Sequence, residues 1–150
     1  MPLIKSVFVI CVITVLASCA SLPRDYERHV SHALEDTSDT PIGRAVTQEV
    51  KAHPGETGIY MLDNGKDAYV ARLKIIEHAE RSLDVQYYIW HADSTGKVMY
   101  DRLLAAADRG VRVRLLLDDL DTAGKEAKLV TMDSHPNIEI RLFNPFSNRN

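Results

Sequence analysis

Hydrophobic residues recur with two alternating periods over the second half of the chain. From residue 69 to residue 79 they are three and four positions apart, which marks one face of a helix. Asn64 stands just before this stretch as a helix cap. Residues 83–89 then alternate between apolar and polar, which is the period of a strand. We therefore expect a helix from residue 64 to about residue 81, followed by a strand.

The same order of helix and strand continues to the end of the chain. Ser94 or Thr95 is expected to cap a second helix, and Gly110 is the residue type preferred where such a helix ends. The remaining elements are a strand, a helix and a strand, over residues 111–117, 125–132 and 138–142. Strands joined by helical crossovers pair in parallel with right-handed connections. The pattern predicts an α/β fold with a mixed or mostly parallel sheet flanked by helices.

Residues 21–57 lack this regularity. They are mostly polar and include three prolines, which is typical of a spacer, although residues 42–50 have the spacing of a short helix. His29 and His32 have a spacing that could hold a metal, but no carboxylate or cysteine lies in register, so solvated linker residues are favoured. We predict three parts, a leader, a polar tether and an α/β domain, over residues 1–18, 19–57 and 58–150.

The first 19 residues, MPLIKSVFVICVITVLASC, have the layout of a secretory signal. Their apolar run, residues 7–17, has 11 residues, and a membrane-spanning helix needs roughly 20, so a cleaved leader is favoured over a signal anchor. Residues 16–19, LASC, resemble the bacterial lipobox, which implies that Cys19 becomes the acylated first residue. An ordinary signal peptide, with Cys19 only a small residue near the cut, is the alternative.

Lipidation at Cys19 would make the membrane a partner of this protein. Several acyl chains hold a protein stably at a bilayer, whereas one holds it only marginally. The next residue is Ala20 and not aspartate, which, by resemblance to Gram-negative lipoproteins, implies the outer membrane. We expect a lipid-anchored protein of the bacterial cell envelope, on the periplasmic face of the outer membrane.

Composition excludes several classes of function. The 150 residues, 45% hydrophobic, suffice for at most one domain. A net charge of −3, with both signs spread along the chain, gives no basic field for nucleic acid. The other cysteine, Cys11, lies in the leader, so the predicted domain has no thiol for a disulfide or a zinc cluster. We expect no cofactor and no metal.

Three blocks of the chain together resemble the phospholipase D superfamily, in the lipoprotein-like C-type branch of the cardiolipin synthases. The blocks are AERSLDVQYYIWHADSTGK, LLAAADRGVRVRLLLDDLDT and HPNIEIRLFNPF. The resemblance covers about residues 58–146 and implies an incomplete phospholipase D-like half-domain of an enzyme in which two halves each give one HxKxxxxD motif to a shared site.

The resemblance also implies a mechanism and a substrate. One histidine attacks the phosphorus of a phospholipid, and the other protonates the leaving alcohol and then activates the next alcohol or water. The lysines neutralise phosphate oxygens, and no metal is required. Transfer to phosphatidylglycerol would give cardiolipin, and transfer to water would be hydrolysis.

The sequence departs from the family pattern in its histidines. None of the six has a lysine two residues further on, so the 150 residues contain no HxKxxxxD motif. We expect the catalytic residues to be supplied by a C-terminal portion or a neighbouring chain, and this N-terminal portion to be inactive alone. The alternative function is a lipid-tethered, non-catalytic α/β binding module.

Two loops are the local candidates for a site, because ligands of open parallel sheets bind beyond the carboxyl ends of the strands. In the first loop, His91 and Asp93 could act as an acid and base pair, although a polar loop explains them better. The residues expected to line the crevice are Tyr88, Trp90, Asp118, Asp119 and Asp121. Clustered aspartates also suit a divalent cation, but they commonly cap helices after strands, so a structural role is favoured.

Overall fold

A computed structural model describes residues 29–146. The predicted leader and Cys19 lie outside the described residues. Those described form four α-helices, one 3₁₀ turn and three strands. In chain order they are α1 (Pro41–Ala52), α2 (Gly65–His78), β1 (Ser82–Tyr87), α3 (Ser94–Asp108), β2 (Arg112–Asp118), the 3₁₀ turn (Asp119–Asp121), α4 (Glu126–Asp133) and β3 (Ile138–Phe143).

The three strands form one parallel sheet in the order β1, β2, β3. Helix α3 connects β1 to β2 and packs on β2, while α4 connects β2 to β3 and packs on β3. Two crossovers of the same hand that step in the same direction place both helices on the same face of the sheet. The predicted α/β class is confirmed, and the sheet is parallel throughout.

The hydrophobic core lies between this face and the helices. Along β2, Val113, Leu115 and Leu117 are buried, and the residues between them are only half-buried. They pack in one cluster with Leu103 of α3 and Met132 of α4, which are 0% and 1% exposed. Burial of each such side chain stabilises the fold by about 1.5–3 kcal/mol. Strand β2 is therefore the centre of the fold.

The helix caps show one prediction confirmed and one wrong. Asn64 caps α2 as predicted, since its side-chain oxygen accepts a backbone N–H of the first turn at 2.8 Å. The cap of α3 is Asp93 and not Ser94 or Thr95. The Asp93 carboxylate accepts the Gly96 N–H at 2.9 Å and the hydroxyl of Thr95 at 2.7 Å. An ionised carboxylate is a stronger acceptor than a hydroxyl, which explains the position of the cap.

Two elements end earlier than the sequence predicts. Helix α2 ends at His78, because Arg109 of the α3 C-cap donates to the last carbonyls of α2. The acceptors are the backbone oxygens of Ile76, Glu77 and Ala79. Strand β1 ends at Tyr87, so Ile89 lies in the following loop. By contrast, Gly110 has φ 92°, the left-handed conformation predicted for the end of α3.

Arginines cover the opposite face of the sheet. Arg112 and Arg114 alternate with buried residues along β2, and Arg141 alternates with the half-buried Ile140 and Leu142 along β3, so all three point away from the helices. Residues 29–36, here named the strap, cross this face. The arginines donate to strap carbonyls in the pairs Arg112 with His32, Arg114 with Ser31, and Arg141 with His29. This part of the predicted tether therefore contacts the domain directly.

Helix α1 confirms the short helix predicted over residues 42–50. Its cap is Thr40, whose hydroxyl oxygen accepts the N–H of Gly43 at 3.1 Å. None of its residues is buried, so it contributes little to the core. Within residues 29–146, no helix is both long enough and apolar enough to cross a bilayer.

Candidate functional site

The loops after β1 and β2 meet at the same edge of the sheet and are bonded together. The Asp121 carboxylate accepts the backbone N–H of Trp90 at 2.8 Å and the Lys125 ammonium at 2.6 Å. Lys125 also donates to the Trp90 carbonyl at 2.7 Å. Both backbone groups of Trp90 are thus held by the second loop. We name these three residues, Trp90, Asp121 and Lys125, the latch.

The latch keeps Asp121 ionised. Burial opposes ionisation of this carboxyl, but the hydrogen bonds from Lys125 and the Trp90 N–H, with the positive charges of Lys125 and His91, outweigh it and lower its pKa. The nearest His91 nitrogen, Nε2, lies 3.7 Å from Asp121 Oδ1. Sequence reasoning missed Lys125, because Asp121 ends the 3₁₀ turn and Lys125 precedes α4, so the two do not lie in one helix whose spacing would predict the pair.

The other two aspartates have separate partners. Asp118 caps the 3₁₀ turn, because its carboxylate accepts the N–H of Leu120 at 2.9 Å. Asp119 is 2% exposed and accepts the Thr122 hydroxyl at 2.5 Å and the Phe146 N–H at 2.7 Å. Within the described part of the chain, no group of three or more His, Cys, Asp or Glu residues could hold a metal ion.

Four of the five predicted crevice residues do line one cleft between the ends of β1 and β2. They are Tyr88, Trp90, Asp118 and Asp121. The cleft has a volume of about 20 Å³, which is room for roughly one water molecule. The fifth, Asp119, is instead turned into the protein. The cleft therefore marks the place where the two loops meet, but it is too small for a ligand.

A larger cavity, of about 240 Å³, opens on the other side of Trp90 and is lined by both His91 and Asp93. We name it the α2–α3 cavity. The Asp93 carboxylate accepts hydrogen bonds from the Gly96 N–H and the Thr95 hydroxyl, and these bonds lower its pKa. Asp93 therefore serves as a helix cap. The carboxylate within ion-pairing distance of His91 is that of Asp121.

Helix α2 supplies a wall of this cavity that sequence reasoning missed. Tyr69 and Arg72 line it, and the Tyr69 hydroxyl donates to the Thr95 carbonyl at 3.0 Å. The Trp90 ring stands edge-on to Tyr87 at a centroid distance of 5.0 Å. Three residues of spacing place Tyr69 and Arg72 on one helix face, but nothing in the sequence indicates which loop that face meets.

A sequence profile described as "Cardiolipin synthase, PLD-like domain" matches residues 73–148. The chain belongs to this cardiolipin synthase family of phospholipase D-like domains. The matched residues include the whole sheet, α3, α4 and both strand-end loops, so the family assignment rests on the part of the chain that contains the latch. The resemblance expected from the three sequence blocks is confirmed.

Two cardiolipin synthases among the similar proteins support the same family. Cardiolipin synthase C of Escherichia coli (strain K12) is 53% identical over 108 residues, which are 72% of this chain and 23% of that protein. Cardiolipin synthase B of the same strain is 32% identical over 87 residues, 58% of this chain and 21% of that protein. A Helicobacter pylori protein, described as uncharacterized, is 36% identical over 115 residues, 77% of this chain and 23% of that protein.

This cardiolipin synthase-like chain spans less than a quarter of the length of these relatives. Among solved structures, the archaeal chromatin protein TrmBL2 aligns with 70% of this chain and 42% of that chain. Its TM-score of 0.44 and identity of 16% are too low to support any inference.

Proposed function

We propose that this chain is the N-terminal portion of a phospholipase D-like phosphatidyltransferase that acts on phospholipids and makes cardiolipin. The observation that carries the proposal is the family match over the sheet and its strand-end loops. The 53% identity to cardiolipin synthase C supports the same choice within the family.

The proposed reaction needs residues that these 150 positions do not contain. Phosphatidyl transfer through a phosphohistidine requires one histidine as nucleophile and a second as acid and base. Neither HxKxxxxD motif is present in the sequence, so a C-terminal portion or a neighbouring chain would supply them. In the proposal, this chain supplies the scaffold and the two loops beyond the carboxyl ends of the strands, and it is inactive alone.

We also propose that Cys19 is lipidated and anchors the protein at the periplasmic face of the outer membrane. Support comes from the signal layout of residues 1–19, the LASC sequence and the absence of aspartate at position 20. A tethered domain would meet phospholipids at the surface of the bilayer.

The activity is tested in cells that lack their own cardiolipin synthases. One strain expresses the 150-residue chain, and another expresses a chimaera in which this chain replaces the matching segment of E. coli cardiolipin synthase C. We expect cardiolipin in lipid extracts of the chimaera strain only. Cardiolipin from the short chain would instead make His91 and the loop of residues 118–121 the candidates for catalysis. An inactive but folded chimaera would favour the binding module.

The anchor is tested by Cys19→Ser, with Cys11→Ser as the matched control. We expect the first variant to lose both membrane association in fractionation and incorporation of labelled fatty acid, and the second to keep both. A Cys19→Ser protein that is still acylated would refute the lipid anchor.

A further inference from the structure

We propose that the α2–α3 cavity binds the phosphate of an amphiphile, that is, a phosphate ester with an aliphatic chain. The inference deepens the proposed function and rests on it, because a phosphatidyl group belongs to this chemical class. It assigns a ligand to the cavity bounded by Tyr69, Arg72, Ile89, Trp90 and His91, without assigning a catalytic role.

The charged side chain of the cavity that has no partner in the described part of the chain is a cation. The side chain of Arg72 has no hydrogen-bond or ion-pair partner among residues 29–146, whereas those of Arg109 and the arginines of the sheet are all bonded. The carboxylate in the lining, Asp93, already accepts two hydrogen bonds. The guanidinium of Arg72 is therefore free to bind a phosphate, for which its planar fork is well suited. His91, whose Nε2 lies 3.7 Å from Asp121 Oδ1 and whose side chain is 66% exposed, adds a second nitrogen donor.

Part of the lining of this cavity is apolar. Ile89 is 48% exposed, and Trp90 and Met99 also line the cavity. Tyr88, next to Ile89, is 62% exposed. Leaving such side chains in water costs about 25 cal/mol for each Å² of apolar area. An aliphatic chain on the phosphate would cover this surface, and free phosphate would not.

The cavity is held in shape before any ligand arrives. The latch fixes both backbone groups of Trp90, and the first turn of α3 packs tightly on the loop. A Cβ atom at Gly96 would lie only 1.9 Å from the His91 carbonyl oxygen. The cavity also opens beyond the carboxyl end of β1, where ligands of open parallel sheets bind. A preformed site loses less entropy on binding.

The chain contains a built-in reporter, because Trp90 is its one tryptophan and lines the cavity. Purified chain is titrated with dihexanoylphosphatidylglycerol below its micelle concentration while Trp90 emission is recorded. We expect a saturable change. Glycerol 3-phosphate, which has the phosphate without the tail, and dihexanoylglycerol, which has the tail without the phosphate, should each bind at least about tenfold more weakly.

Variants separate the two halves of the site. Arg72→Gln should weaken binding of the lipid about tenfold, the loss of one charge-assisted hydrogen bond. Arg102→Gln is the matched control, because it removes the same charge from an exposed position of α3 outside the cavity. Ile89→Ser should weaken binding of the lipid and leave binding of glycerol 3-phosphate unchanged.

Several results would overturn the proposal: no saturable change in emission, equal effects of Arg72→Gln and Arg102→Gln, or equally tight binding of either half-ligand. Equal binding of glycerol 3-phosphate would identify a soluble phosphate ester as the ligand. If Arg72→Gln fails to fold by circular dichroism, Arg72→Lys and Ile89→Ser carry the test. Binding is measured without turnover, so an inactive chimaera would refute the proposed activity and leave this result standing.

Discussion

Asp121 is the acceptor through which one strand-end loop holds the other. Its folded-state pKa is lower than that of a free carboxyl, which is about 3.9. Because the pKa is lower in the folded state, the ionised carboxylate stabilises the fold at any pH above the pKa of the unfolded state. This stabilisation is lost as the pH falls through the pKa of the folded state. The latch is therefore intact at neutral pH and weakens in acid.

Replacing Asp121 with asparagine removes the charge and keeps the shape. We expect Asp121→Asn to lower the free energy of unfolding by about 1–3 kcal/mol at pH 7, because Lys125 loses its ionised partner. The difference from the parent chain should narrow below about pH 4, as the parent carboxyl takes up a proton. Urea unfolding from pH 7 to pH 3, followed by Trp90 emission, measures this. A difference independent of pH would contradict the role of the ionised form.

Asp119 has a structural role that its neighbour does not share. It is buried and joins the end of β2 to Phe146, after β3. We expect Asp119→Ala to lower the free energy of unfolding by about 2 kcal/mol, because the buried Thr122 hydroxyl and the N–H of Phe146 both lose this acceptor. The control is Asp118→Ala, which removes one cap of a short turn and should cost about 1 kcal/mol or less. Thermal unfolding compares the two variants, and equal losses of stability would contradict the structural role of Asp119.

At this scale the sequence revealed which loops matter but not which side chains meet. Trp90 and Asp121 are 31 residues apart, and their hydrogen bond depends on the register between β1 and β2. Register is set by packing of the whole sheet, so spacing alone could not pair them. The same reason explains why Asp121, and not Asp93, lies beside His91.

Helix α3 depends on one glycine for its position. Gly96 lies against the His91 carbonyl, and a methyl group there would overlap it. We expect Gly96→Ala to lower the free energy of unfolding by about 1–3 kcal/mol and to shift Trp90 emission, because the loop must move away. Gly65→Ala in the first turn of α2, where space is open, should leave stability unchanged or slightly raised. Urea unfolding of both variants is the measurement, and equal stability would contradict this contact.

The elements themselves were largely predictable from periodicity. All three strands and the helices between them follow from apolar spacing, because burial on one face decides each of them. The ends of elements were less predictable. The end of α2 depends on Arg109, which reaches it from another helix, and no local pattern records such a contact.

The two faces of the sheet are covered in different ways, by helices on one side and by the strap on the other. We expect the free energy of unfolding of a chain that begins at residue 58 to be about 2 kcal/mol lower than that of a chain that begins at residue 29. The shorter chain should also bind more of a hydrophobic dye. The reason is that Arg112, Arg114 and Arg141 would lose their carbonyl partners, and Arg81 would lose its ion pair with Asp39. Urea unfolding of the two chains measures this, and equal stability would show that the strap only rests on the surface.

For the molecule as a whole, the α/β class and the family followed from the sequence, and the strap did not. Backbone carbonyls are the same in every residue, so a segment that binds arginines through them has no distinctive pattern. The boundary at residue 57 between tether and domain stays a prediction. The described contacts show that residues 29–36 belong, by packing, with the sheet.

The hydrogen bond between Arg141 and the His29 carbonyl links positions 112 residues apart. A ribosome makes the strap long before it makes β3, so the strap cannot complete its contacts until almost all of the described chain has been synthesised. Contacts between such distant residues form late, because closing a long loop costs entropy before any bond forms. The strap is therefore among the last parts of the described chain to complete its native contacts, although it is the first of them to be synthesised.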